Sequence, residues 1–161
     1  GIEKFFELCD SRISTRIEIG LAGAIKLSDK NKSLLNKFIK TKNIIYHGVL
    51  DKGELLKVLS KYNLFLFNSE HLTEGMPNSL LDAVSVKLPI LTRDIGFIKD
   101  LFVDEYFNFI QESNIYYLIN YIENIIDNYS FYLLKAKKAF DFAQKHYSRK
   151  VYKTKLIQLY K

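Results

Sequence analysis

The chain has 161 residues, 48% of them hydrophobic, which is enough apolar material for one sizeable core and predicts a single domain over residues 1–161. It opens Gly1-Ile2-Glu3 with no initiator Met, no basic leader and no long apolar run, so neither a signal peptide nor a transmembrane span is expected; it reads as a soluble piece of a longer protein. The net charge of +6 admits nucleic acid, an anionic membrane or a phosphorylated ligand, but the Tyr and Phe residues are spread without the basic-aromatic clustering of an RNA-binding sheet, which argues against nucleic acid.

Residues 2–11 place Ile2, Phe5, Phe6, Leu8 and Cys9 at helical spacing. Cys9 is the only cysteine, which excludes a disulfide framework and a CxxC motif and makes a reducing cytoplasm the natural compartment; it reads as a buried small hydrophobe. Residues 15–25 then supply a strand with Ile17, Ile19 and Leu21, and Gly20 and Gly23 read as packing glycines at its end. A helix beginning at Asp29, a strand Asn43-Ile44-Ile45-Tyr46 stopped at Gly48, and a helix over 51–61 continue the alternation.

Leu64-Phe65-Leu66-Phe67 is a continuous apolar run of the kind found in strands buried on both faces. After a loop at 68–77 come a helix over 78–86, a strand Pro89-Ile90-Leu91-Thr92, a short helix near 97–102 and a short strand around 107–109. Residues 113–160 are helical almost throughout. Alternating strands and helices predict an α/β fold, a Rossmann-like parallel sheet with helices on both faces, and ligands at the carboxyl ends of its strands.

The stretch that carries chemistry is Thr73-Glu74-Gly75-Met76-Pro77-Asn78-Ser79-Leu80-Leu81-Asp82-Ala83, directly after the apolar strand. Gly75 allows close backbone approach, Pro77 stiffens the turn, Asn78 suits an N-cap, and Leu80, Leu81 and Val84 are expected to face the core. Amides of the first helical turn then point out at the carboxyl end of the sheet, where hydrogen bonding and helix dipole both favour a diphosphate. Glu74 and Asp82 bracket that turn, and carboxylates accept hydrogen bonds from sugar and ribose hydroxyls. Read without further context, Asp82 equally serves the helix N-terminus and Glu74 is equally a solvated loop charge. His47, His71 and His146 are too scattered for a metal set, and His71 reads as a loop residue beside Glu74.

This stretch, followed by Leu88-Pro89-Ile90 and Thr92-Arg93-Asp94-Ile95-Gly96, resembles the signature of retaining glycosyltransferase family 4, whose members have the GT-B fold. Tyr46-His47-Gly48-Val49 and the last helix extend the resemblance over nearly the whole chain. It implies the C-terminal, donor-binding domain of such an enzyme, lacking its first strand and separated from the N-terminal acceptor domain. It further implies a retaining, metal-independent transfer of a hexosyl unit from a nucleoside diphosphate sugar such as a UDP-sugar to a glycan or lipid-linked acceptor in bacterial polysaccharide biosynthesis. By resemblance Glu74 is the catalytic carboxylate at the donor sugar; Gly75, Met76, Pro77, Asn78, Ser79 and Leu80 line the diphosphate; Asp82 meets the ribose; and Val49 lines the base. No cofactor beyond the donor substrate is implied, and the fragment alone is expected to be inactive.

The chain departs from the family pattern at three places. Asp82 stands where Glu is usual, and Lys87 and Phe97 where Gly is usual. These departures leave room for a non-catalytic GT-B-like partner that binds a nucleotide sugar or a protein, and the fold is shared with sugar-nucleotide epimerases. The terminal segment containing Lys135, Lys137, Lys138, Lys145, Arg149, Lys150, Lys153 and Lys155 reads either as a solvated face or as a contact for an anionic membrane at the inner face of the cell membrane.

Overall fold

A computed structural model of the chain describes residues 2–24, 28–41, 44–70, 75–112 and 114–159. The architecture is α/β, with every strand pairing parallel. Contacts divide the chain into two compact units, one made of residues 1–58 with 112–127, the other of 59–111 with 128–161.

The first unit opens with α1 (Ile2–Asp10), a 3-10 turn (Arg12–Thr15) and β1 (Ile19–Leu21), continues through α2 (Asp29–Thr41), β2 (Ile44–Tyr46) and most of α3 (Lys52–Leu59), and is completed by α6 (Ile115–Asp127). Helical periodicity turns Phe6 and Cys9 of α1 and Leu35 and Phe38 of α2 to one side, where they meet Ile44 of β2 in a closed apolar cluster. The Phe6 and Phe38 rings stack at 5.7 Å. Cys9 is fully buried, as its apolar surroundings in the sequence suggest. Helix α6 buries the stripe Leu118, Ile119, Ile122 and Ile125, and Glu123 on the same helix accepts from Arg12 at 2.9 Å and from Arg16 at 3.5 Å.

In the two-stranded ladder Ile19 pairs with Ile44 and Leu21 with Tyr46. Beyond it the Gly23 amide donates to the Gly48 carbonyl at 2.7 Å, and the Tyr46 hydroxyl donates to the Gly23 carbonyl at 2.9 Å. Gly23 has φ +116°, and a Cβ added there would meet nothing within 4 Å. The expectation of a packing glycine is therefore corrected at Gly23: the position demands glycine for its backbone conformation, because an L side chain is strained at that φ.

The second unit orders its strands β3 (Phe65–Phe67), β4 (Ile90–Arg93), β5 (Asn108–Ile110), joined by α4 (Asn78–Ser85) and α5 (Ile98–Leu101) and followed by α7 (Tyr129–Tyr147) and α8 (Arg149–Leu159). Central β4 buries Ile90, Leu91 and Thr92. The apolar run in β3 is half-buried at all three residues rather than enclosed on both faces; among the described residues this strand lies at the edge of its ladder, beside β4. Helix α7 packs on α4, and its Phe142 joins Phe102 and Tyr106 in an aromatic cluster, stacking on the Tyr106 ring at 4.7 Å.

The exit of α4 forms a Schellman turn. The Lys87 amide donates to the Val84 carbonyl and the Leu88 amide to the Ala83 carbonyl, both at 3.0 Å. Lys87 supplies the left-handed residue at φ +58°, the one positive-φ non-glycine among the described residues. A glycine, which the resemblance leads one to expect at this point, would adopt that conformation without strain. Here its place is taken by a lysine whose Nζ sits 4.6 Å from the centroid of the Phe140 ring.

Candidate functional site

The sequence-predicted site residues fall in both units. In the first, Val49 follows β2 in the turn opened by Gly48 at φ +71°, and its side chain is 74% exposed. The turn runs into α3 through a reciprocal capping box: the Glu54 amide donates to Asp51 Oδ1 at 2.8 Å, and the Asp51 amide donates to Glu54 Oε2 at 3.1 Å. Val49 is thereby presented at the carboxyl end of a strand by a turn whose two sides are hydrogen-bonded.

In the second unit β3 leads into α4, so the N-terminus of α4 lies at the carboxyl edge of the β3-β4-β5 ladder. Glu74, like His71, lies outside the described residues. Gly75 is exposed, and a Cβ there would meet nothing within 4 Å, which leaves its backbone approachable. Pro77, with φ −62° and ψ 129°, occupies the N-cap position and makes no side-chain cap. Asn78, expected to be the N-cap, is instead the first helical residue. The proline ring, preset near −65°, fixes the entry one residue earlier.

The Leu80 amide donates to the Pro77 carbonyl at 3.1 Å, tightening the first turn. Asn78 and Ser79 hold the positions whose amides a helix leaves without an intrahelical acceptor. Along α4, Leu80, Ala83 and Val84 are buried, whereas Leu81, expected to face the core, is 37% exposed because it stands about 100° around the helix from Leu80. Asp82 is 6% exposed and is one of three buried polar side chains among the described residues. Asp82 stands about one turn beyond Asn78 and Ser79 along the helix. That separation suits two ends of one ligand, an anion at the amides and a hydroxyl nearer the carboxylate.

Arg93 belongs to the segment Thr92-Arg93-Asp94-Ile95-Gly96 singled out in the sequence, but no role is given to it there. This last residue of β4 donates from Nε to Asn68 Oδ1 at 2.7 Å, and its Nη2 lies 3.5 Å from Glu70 Oε1. Its side chain is only 15% exposed. Arg93 thus ties the end of β4 to the residues that leave β3, on the edge where α4 starts. A cavity of about 320 Å³ beside it is lined by Glu70, Asp94, Ile95, Ile110 and Gln111. The available signal was a guanidinium directly after an apolar strand, at the end where ligands of α/β sheets bind. Among the described residues no group of three His, Cys, Asp or Glu side chains could hold a metal ion, and no helix is long and apolar enough to cross a membrane.

The family model described as "Glycosyl transferases group 1" matches residues 1–147. An uncharacterized glycosyltransferase of Methanocaldococcus jannaschii is 32% identical over 74 residues, covering 46% of this chain and 17% of that protein. Sucrose-phosphate synthase from Thermosynechococcus elongatus superposes with a TM-score of 0.79 at 17% identity, over 99% of this chain and 41% of the synthase. The Anabaena protein HepE, in complex with UDP and glucose, superposes with a TM-score of 0.75 at 12% identity, over 98% of this chain and 42% of that one. The chain therefore spans less than half the length of each of these proteins.

Proposed function

The chain belongs to the group 1 glycosyl transferases, and from that premise we propose that it is the donor-binding part of a GT-B transferase that moves a sugar from a nucleoside diphosphate sugar. The observation that carries this reading is the entry of α4: an approachable Gly75 backbone, a helix start fixed by Pro77, first-turn amides at Asn78 and Ser79, and the buried Asp82 carboxylate one turn on. Amides and helix dipole hold the diphosphate and stabilise it as it leaves, a role of the oxyanion-hole type that requires no metal ion. Asp82 receives the ribose and Val49 lines the base. Glu74 stands at the donor sugar, where positive charge develops. Transfer proceeds with retention, and the acceptor, a glycan or lipid-linked saccharide in bacterial polysaccharide biosynthesis, is bound by an N-terminal domain outside this chain. The HepE complex with UDP and glucose supports a uridine nucleotide as the probe of choice.

The test is a titration of the chain with UDP followed by amide chemical shifts. Shifts are expected at Val49, Gly75, Met76, Asn78, Ser79 and Asp82. Saturating UDP that leaves all of these unmoved, or that moves only α7 and α8, would overturn the reading. The chain alone is expected to bind nucleotide without transferring sugar, because acceptor binding and exclusion of water from the cleft are assigned to the missing half.

A further inference from the structure

The positive charge of this protein is concentrated in its last two helices. Residues 128–161 contain nine Lys and Arg and a single acid, Asp141, so this stretch carries about +8 while the whole chain carries +6. The remainder is therefore slightly acidic. Eight of the nine cations are lysines; the exception is Arg149.

The junction of the two helices gives the charge a shape. Ser148 closes α7 in an extended conformation, φ −63° and ψ 154°, and α8 restarts at Arg149. The elbow borders an open groove of about 470 Å³ lined by Gln144, Lys145, Ser148, Lys150, Val151 and Thr154. Two ammonium groups and two hydroxyls line it, and no carboxylate does. Among the described residues Lys145, Arg149, Lys150 and Lys153 have no ion pair, whereas Lys138 is paired with Glu105 at 3.2 Å. Helical spacing places Lys150, Thr154 and Ile157 on one stripe of α8, with Ile157 50% exposed, and Tyr147 beside the elbow is 44% exposed.

We propose that the α7–α8 elbow is a docking surface for an anionic lipid bilayer, with a phosphate headgroup seated between Lys145 and Lys150 and the Ile157 side chain entering the interface, while Tyr147 packs its ring against Phe102 and Phe142 behind the elbow. Lysine-rich charge flanked by large apolar side chains is the chemistry of interfacial membrane contact. Specific recognition of a phosphorylated side chain favours bidentate arginine forks, and this surface has a single arginine. The inference stands on charge and shape alone and does not depend on the nucleotide site.

The experiment is co-sedimentation of the full chain with vesicles of phosphatidylcholine alone and with vesicles of equal parts phosphatidylcholine and phosphatidylglycerol. Binding is expected only to the anionic vesicles and should fall as salt rises. The double variant Lys145→Glu/Lys150→Glu should weaken it by about tenfold or more, and Lys145→Gln/Lys150→Gln by a smaller factor. Lys40→Glu/Lys61→Glu changes net charge equally at exposed sites elsewhere and should bind nearly as well as the unchanged chain. Equal binding to neutral vesicles, equal loss in the two Glu pairs, or tighter binding to a single-stranded oligonucleotide than to anionic vesicles would each overturn the proposal.

Discussion

The ammonium of Lys135, on α7, donates to Asn108 Oδ1 at 2.7 Å and to the Phe107 carbonyl at 3.0 Å, while the Asn108 amide group donates to the Ile90 carbonyl at 2.9 Å. One lysine thereby links α7 to the first residue of β5 and, through it, to β4. Burial lowers the Lys135 pKa below 10.5, and the Asp104 carboxylate only partly restores it.

In the window just below 10.5 the unfolded chain binds more protons at this site than the folded one, so the contribution of Lys135 to stability rises with pH there. Urea unfolding of the unchanged chain and of Lys135→Met, from neutral pH to about pH 10.5, should show the difference between them growing in favour of the unchanged chain. A difference that shrinks over that window would contradict the assignment. At neutral pH the variant should be less stable by about 1–3 kcal/mol, because Asn108 Oδ1 and the Phe107 carbonyl lose their donor.

At the exit of α4, Lys87→Gly would relieve about 1 kcal/mol of left-handed strain and forfeit a cation–π contact worth about 0.5–1 kcal/mol. The single variant should therefore be close to neutral in thermal unfolding. In a Phe140→Leu background, where the ring is already gone, the same change should stabilise by about 0.5–1 kcal/mol. Identical effects in the two backgrounds would show that Phe140 does not hold the lysine.

Arg93→Met should cost about 1–3 kcal/mol of stability, since it leaves the Asn68 amide oxygen without its donor at a half-buried edge. Arg93→Lys should recover less than half of that, because a single ammonium cannot reproduce the Nε and Nη2 directions together. Full recovery by lysine, read from urea midpoints, would mean that charge alone matters there.

On the function proposed above, Glu74→Gln in the complete protein should chiefly lower kcat, by about 100-fold or more, since a negative charge placed at the donor sugar would stabilise the transition state above the ground state. Asp82→Asn should chiefly raise the donor KM, by a factor corresponding to about 1–3 kcal/mol, since the ribose contact proposed for it would be equal in both states. Steady-state kinetics with circular dichroism on both variants decide the matter. A Glu74→Gln enzyme with kcat within a few-fold of the unchanged one would remove Glu74 from the chemistry.

The order of helices and strands is legible in the sequence because apolar residues change period from 3.6 to 2, or to unbroken runs, at nearly every boundary. The α4 region is legible for the same reason, with Pro77 marking the helix start. What escaped were choices between neighbouring positions. Proline and asparagine both suit the entry of a helix, and only the backbone shows that Pro77 caps and Asn78 follows. Leu80 and Leu81 look alike in the sequence, but neighbours on a helix stand about 100° apart, and here Leu80 takes the core side while Leu81 turns toward solvent. The roles of Arg93 and Lys135 depend on partners 25 and 27 residues away, Asn68 and Asn108, which no local pattern reveals.

The first unit is completed by α6, which lies beyond more than fifty residues belonging to the second, and the second in turn resumes only at Asn128. During synthesis, then, α1 leaves the ribosome long before the helix that covers it, and Arg12 waits 111 residues for Glu123. Neither unit can close while the chain is half made. The first unit has all its parts only once α6 has emerged, and the second only once α7 and α8 have, so each is closed by contacts distant in sequence. A cut anywhere in α6 would disable the unit that begins at the opposite end of the chain.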